Sequence, residues 1–468
     1  MESEKDFSNI KEWNVKRIGD IFIFGIKGSG KTCKLLTLSQ AMYDRGIVKK
    51  LWDIYGGERH EGGFITFPNR DYKLWNDLEK ETFELSEAGP KQYRVTLLCP
   101  LFSKEIPDKI PEDMPNVKTK IFTIPIRAIT KQYIGLVVGE VGREAETLWE
   151  KIKDECADNS NGEDVKYLMD TRFYKMKKTH FYTTFIKPLV ENHFLSSENS
   201  KTNLNILEEA EDTERITILY LEYVPEQFHF FIMGYILKEL FTLAKKDKTH
   251  KKHFAIMREA SRFMKVVDED KNKSAQANAF RNLLVDIVRY GRSGLFFGLD
   301  TQDSSEVRGL IDGQQEILGI CELPSQNSIE TTCLPLKQAK RMSQFQINYI
   351  QWKIQKHQIC IVERGEKAVI LKRINPPRTM YWKPEYGNFI SFWKKEKDKW
   401  KEDLKDIIEN AKKEHSDRIS ILKIKNLKFE EEEVVEIKEK EELPLEEVIE
   451  IKNEEENETK SRVPKARF

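Results

Sequence analysis

One octet constrains this 468-residue chain more than any other feature: Gly25-Ile26-Lys27-Gly28-Ser29-Gly30-Lys31-Thr32, which fits G-x-x-x-x-G-K-[ST]. Ahead of it stands Ile21-Phe22-Ile23-Phe24, a run of bulky apolar residues suited to a buried strand. Behind it Leu35, Leu38 and Met42 recur at helical spacing. Strand, glycine turn, helix is the context that gives the motif its physical meaning. Glycines at 25, 28 and 30 let backbone N–H groups close around phosphate oxygens, and the helix beginning near Lys31 adds its positive end. The expected nucleotide-binding residues are therefore Gly25, Lys27, Gly28, Ser29, Gly30, Lys31, Thr32 and Cys33. Lys31 is expected to reach the β and γ phosphates and Thr32 to offer its hydroxyl to Mg²⁺, so ATP and Mg²⁺ are the expected cofactors.

A second apolar run, Val48 to Tyr55, carries Asp53 and ends at Gly56-Gly57, which reads as the next strand of a βαβ unit and predicts a parallel α/β architecture. The pattern returns in the second half. Ile216 to Leu221 reads as a strand, Gln227 to Ala244 as a helix, and His253 to Met257 and Leu295 to Leu299 as further strands. The strand His253 to Met257 runs into Arg258-Glu259, placing a carboxylate where a P-loop ATPase needs a group to polarise water, so Glu259 is the candidate general base. The strand from Leu295 runs into Asp300-Thr301-Gln302, and Gln302 is a candidate sensor of the γ phosphate.

Between these halves, prolines at 100, 107, 111 and 115 give way to charged segments of helical periodicity such as Glu144 to Asp154, which reads as a mostly helical insertion over 96–210. The core then comprises 1–95 and 211–385. Residues 386–468 read as a charged tail whose first part, with Trp400, Leu404, Ile407, Ile408 and Ala411, has the spacing of an amphipathic docking helix. The acidic remainder lacks the apolar surface to fold alone.

Composition excludes several classes. Charged residues make up 33% and the mean hydropathy is −0.59. The most apolar stretch, near Phe228 to Phe241, is interrupted by Lys238 and Glu239 and falls short of the roughly 20 residues that span a bilayer, so no membrane span is expected. The N-terminus shows no secretory h-region. Six cysteines lie far apart, without a CxxC pair or accompanying histidines, and read as reduced thiols of a cytoplasmic protein. The 78 basic and 78 acidic residues cancel, but from Glu385 onward there are 19 Lys plus Arg against 24 Asp plus Glu, so the remainder carries a small positive excess. A ring of copies could concentrate that excess in a pore.

The order of these pieces resembles the HerA/FtsK superfamily of ring-forming, DNA-pumping ATPases, with HerA-like proteins and conjugative coupling proteins as relatives. The resemblance rests on the octet at 25–32, on Ile216 to Phe241, on Ile256 to Met264, and on Tyr290-Gly291-Arg292-Ser293-Gly294 running into Leu299 to Asp303. Glu363 to Ile370 and Asn375-Pro376-Pro377 resemble the closing hairpin and proline turn of the same domain. The resemblance implies a RecA-like P-loop NTPase core, a homo-hexamer, double-stranded DNA as partner, and an arginine finger lent by a neighbouring subunit, for which Arg292 in the cluster Arg289, Arg292 and Arg308 is the candidate. The basic run Lys245 to Lys252 is a candidate DNA-facing segment.

One position departs from the family. Its strand usually ends Asp-Glu, the Asp helping to hold Mg²⁺, and here the pair is Arg258-Glu259. A guanidinium beside the metal would repel it. The expectation is that Arg258 points away and that Asp53 or Glu259 serves the metal. A different class of protein competes with the motor, a nucleotide-gated assembly ATPase of weak hydrolysis whose charged tail recruits a protein partner.

Overall fold

The computed structural model describes residues 7–8, 19–57, 61–69, 90–102, 110, 112–114, 116–246, 252–264, 271–289, 294–302, 317–323, 325–371, 374 and 376–399. Arg292, Arg308, most of the basic run 245–252 and the tail beyond 399 lie outside them.

The strands in chain order begin with β1 (Phe7–Ser8), β2 (Ile21–Phe24), β3 (Lys50–Tyr55), β4 (Arg94–Pro100) and β5 (Val117–Phe122). They continue with β6 (Ile124–Pro125), β7 (Leu195–Ser196), β8 (Arg215–Leu219), β9 (His253–Met257) and β10 (Leu295–Thr301). The last are β11 (Ile317–Ile320), β12 (Ile359–Glu363) and β13 (Val369–Leu371). Eleven of them form one sheet in the order β1-β13-β12-β11-β2-β10-β9-β3-β8-β4-β5, and β6 pairs with β7 separately. Every pairing in the large sheet is parallel except β11 with β12 and β12 with β13. Its middle strands β2, β3 and β9 are buried at every position, as expected of a parallel sheet covered on both faces, and this explains why they read as continuous apolar runs rather than alternations.

The structure is the parallel α/β core that the sequence predicts, with two refinements. The unit formed by β2, the helix α1 (Lys31–Asp44) and β3 is present, but β10 and β9 lie between its two strands. Local periodicity identifies a strand and carries no information on which distant strand will sit beside it. The segment read as helical from 96 also begins with sheet: β4 and β5 extend the large sheet, and helices follow at Lys131–Val138, Arg143–Glu155 and Gly162–Thr171. In Val117-Lys118-Thr119-Lys120-Ile121, β-branched residues alternate with lysines, a period-two pattern overshadowed by the prolines around it.

Close approaches between layers fall at glycines. A methyl group at Gly298 in β10 would lie 2.8 Å from Leu35 Cδ1 and 2.7 Å from Phe254 Cε1, so its absence lets α1 settle directly on the sheet. At Gly234, in the helix His229–Lys246, the added carbon would stand 2.4 Å from Leu136 and 3.2 Å from Leu283, where three helices meet. The chain after Trp382 contributes to this core as well. Phe389, Ile390, Phe392 and Trp393 are buried, and Trp393 stacks on Phe67 at 5.6 Å while its indole N–H donates to Asp113 at 3.0 Å. These four apolar residues stand at helical spacing ahead of Trp400 to Ala411, which lie outside the described residues. Among the described residues no helix is long and apolar enough to cross a membrane, and all six cysteines are free thiols.

Candidate nucleotide site

The octet turns directly from the end of β2 into α1. Gly28 and Gly30 have φ of 84° and 80°, a left-handed conformation that L side chains rarely adopt. A β-carbon at Gly25 would lie 2.6 Å from Cys321 Cβ and 2.8 Å from Ser29 Oγ, so that corner is closed to any side chain. The loop is pinned from neighbouring strands: Gly25 N–H donates to the Thr301 carbonyl at 3.3 Å and Ile26 N–H to the Glu322 carbonyl at 2.8 Å. The loop leads directly into the first turn of α1, the end of a helix whose N–H groups have no acceptors within it.

Two lysines serve the loop. Lys31 donates to the Ile26 carbonyl at 2.9 Å, and burial lowers its pKa while Asp300 opposes the shift. Lys34, which nothing in the sequence marks out from other helix residues, is 2% exposed and donates to the Ser29 carbonyl at 2.7 Å and to Cys321 Sγ at 3.2 Å. It braces the loop from beneath. Its position one turn into the helix was the only available signal.

Strand register brings the second-half residues to the same place. Thr301 of β10 pairs with Phe24 of β2, so Gln302 leaves the sheet beside Gly25, and it is exposed there. Met257 of β9 pairs with Leu299 of β10, so Arg258 and Glu259 follow beside Asp300 and Thr301. One carboxylate ties these ends together. Asp300 Oδ2 accepts from Thr32 Oγ1 at 2.6 Å, Asp300 Oδ1 accepts from the Glu259 N–H at 2.6 Å, and the side chain is itself 2% exposed. Glu259 sits at φ 52°, a strained conformation for a non-glycine residue and one held here by that bond and by the Ala260 N–H donating to the Asp300 carbonyl at 2.8 Å. Its side chain is about half exposed, lies over Gly57, and pairs with Arg262 at 3.2 Å.

Asp53, an expected metal-side carboxylate, is engaged by Arg258. Its Oδ2 is 2.5 Å from Arg258 Nη2, and the two side chains are 0% and 1% exposed. Burial pushes the Asp53 carboxyl up, Arg258 opposes that, and Asp300 adds to the rise. Arg258 is buried, and its guanidinium is paired with Asp53. The carboxylate on the Thr32 hydroxyl is Asp300, in the sequence one of three polar residues that close a strand. Cys33 is partly exposed in the first turn of α1, and Lys27 is exposed at the loop's tip.

The decisive arrangement is the succession β11-β2-β10-β9-β3: the strand carrying the octet is separated by one strand from the strand that ends at the glutamate, and all of these neighbours run parallel. The core is a RecA-like P-loop fold. The HerA/FtsK resemblance drawn from the sequence agrees with this architecture. No protein-family model matches the chain, and no curated protein does. Among solved structures the RecA-like chain is similar to VirB4 of Thermoanaerobacter pseudethanolicus at 12% identity and a TM-score of 0.43, over 76% of this chain and 90% of that one. It is also similar to the bacterial conjugative coupling protein TrwB lacking 70 N-terminal residues, at 10% identity and a TM-score of 0.40, over 78% and 88%. A third is the genome packaging NTPase B204 from Sulfolobus turreted icosahedral virus 2, at 12% identity and a TM-score of 0.24, over 36% and 70%.

The side chains present suit a metal-bound nucleotide. A hydroxyl at Thr32 and a carboxylate at Asp300 are hard oxygen donors of the kind Mg²⁺ takes alongside phosphate oxygens and water. Among the described residues no separate group of three or more His, Cys, Asp or Glu could hold a metal.

Proposed function

We propose that this protein is an ATPase that hydrolyses the β,γ bond of ATP and uses it to translocate double-stranded DNA as a homo-hexameric ring. The observation that carries the ATPase reading is the hydrogen-bonded line from Thr32 through Asp300 to the Glu259 backbone, which couples the phosphate loop to the candidate base across three adjacent strands. In this reading Gly25, Gly28 and Gly30 keep the loop open to phosphate, and Lys31 exchanges its bond to the Ile26 carbonyl for the β and γ phosphates. Mg²⁺ held at Thr32 would neutralise charge that develops on the phosphates. Glu259 orients and deprotonates the attacking water, and Gln302, at the rim beside Gly25, reports whether the γ phosphate is present. Arg292 supplies the finger in trans.

The DNA step rests on the sequence resemblance and on the names of the similar structures, which include a genome packaging NTPase and a conjugative coupling protein. It is tested by steady-state ATP turnover of the assembled protein with and without double-stranded DNA. Stimulation of about tenfold or more, falling steeply as salt is raised because phosphate contacts release counterions, is the expected result. Turnover that is slow and indifferent to DNA, with nucleotide binding intact, would favour a nucleotide-gated assembly ATPase in its place.

A further inference from the structure

We infer that Asp300 is the metal-side carboxylate of this site, moved one strand over from the position the HerA/FtsK family uses, and that Arg258 and Asp53 together form a structural pair filling the vacated place. The inference rests on the nucleotide-site reading and assigns one of its positions. Three observations support it. The hydroxyl of Thr32, the group expected on Mg²⁺, already donates to Asp300 at 2.6 Å, so the two oxygens stand where one ion would meet both. Parallel register sets Asp300 beside Arg258 on the neighbouring strand, so a carboxylate moved from 258 to 300 stays at the same level of the sheet. Arg258 is buried with its guanidinium 2.5 Å from Asp53, so these two charges engage each other while the Thr32 hydroxyl is bonded to Asp300.

The same carboxylate has a second bond, to the Glu259 N–H at 2.6 Å, which makes Asp300 a positioning residue for the candidate base as well as a metal-side group. That coupling distinguishes it from an acid that merely completes a turn. If the metal draws on Asp300, the Glu259 backbone is held in register with the occupied site. If Asp300 were only a turn-closing acceptor, its charge would be dispensable and asparagine, which keeps an oxygen for the Glu259 N–H, would serve equally well.

The test is equilibrium binding of a fluorescent ADP to the full chain, in excess Mg²⁺ and in EDTA. The wild type should bind more tightly with Mg²⁺. In Asp300→Asn at least about tenfold of that Mg²⁺-dependent gain should vanish, the scale seen when a group supporting a metal is removed, while affinity in EDTA changes by no more than about twofold. The double variant Asp53→Leu with Arg258→Met should keep the full gain. A gain that survives in Asp300→Asn, or that disappears in the double variant, overturns the assignment. Should Asp300→Asn fail to fold, the double variant still decides, since loss of the gain there would return the metal to Asp53. A wild type that binds ADP with no Mg²⁺ gain overturns the inference alone, and a wild type that binds no nucleotide overturns the site reading together with it.

Discussion

Glu259→Gln is expected to lower ATP turnover by roughly 10²- to 10⁴-fold, the span over which a positioned general base contributes, while nucleotide affinity stays within about twofold of wild type. The substitution is nearly isosteric. It keeps the left-handed backbone at φ 52° and the N–H that donates to Asp300, so the Thr32 to Asp300 line survives. Only the ability to accept a proton is lost, together with the charge that meets Arg262 at 3.2 Å. That ion pair is about half exposed, and partners of this kind are worth ~0–1 kcal/mol, so stability should scarcely change. Single-turnover hydrolysis beside equilibrium nucleotide binding separates the two quantities. Turnover within about threefold of wild type would remove Glu259 from catalysis and leave a strained residue with no chemical purpose.

The strain itself bears on function. A non-glycine residue in the left-handed region is retained where surrounding bonds over-determine it. Here two bonds to Asp300 and the contact with Gly57, itself at φ 84°, do so. The turn at 259 lets the chain leave β9 and place its carboxylate over Gly57 and against Arg262 instead of continuing along the strand direction. No sequence pattern announces such a turn, because glutamate is not a residue that favours positive φ.

Legibility of the fold followed the range of the interactions that produce it. The octet, its flanking strand and helix, and the strands at β8, β9 and β10 could be read because each is written in local periodicity. That the strand ends at Glu259 and Gln302 share one edge of the sheet with the octet depends on β10 lying between β2 and β9, which local periodicity does not carry. Asp300 is hard to single out in the sequence because it occupies a strand position where a polar residue reads as an approach to solvent, whereas it is buried and bonded at both oxygens. The pairing of Asp53 is hidden in the sequence for the converse reason. An acid at the end of a strand near glycines suggests a metal ligand, and nothing in the sequence pairs it with an arginine 205 positions later. Lys34 was hidden in the same way, as a helix residue whose partners lie on the loop before it and on the strand end at Cys321.

Arg258→Asp, which would give the strand the Asp-Glu ending that the HerA/FtsK resemblance leads one to expect, is expected to damage this protein instead of improving it. The guanidinium is 2.5 Å from Asp53 and both groups are out of contact with solvent. Removing one member of a buried pair leaves the other charge uncompensated, at a cost of about 3–5 kcal/mol. The new carboxylate would also stand beside Asp53 and Asp300, adding like-charge repulsion in a poorly screened place. By the scaling of larger domains that loss lowers the melting temperature by roughly 5–15 °C, which a thermal unfolding scan would resolve. The matched apolar replacement, Arg258→Met with Asp53→Leu, should be neutral or stabilising by about 1–4 kcal/mol, because it deletes both desolvated charges at once. A single variant melting within about 2 °C of wild type would show that the pair contributes little, and Asp53 would again be available to the metal. The expected result instead makes the two changes interdependent: once arginine occupies 258, Asp53 is needed to neutralise it, and a carboxylate for the Thr32 hydroxyl has to come from another strand. Asp300 is placed by the register of β9 and β10 to provide it.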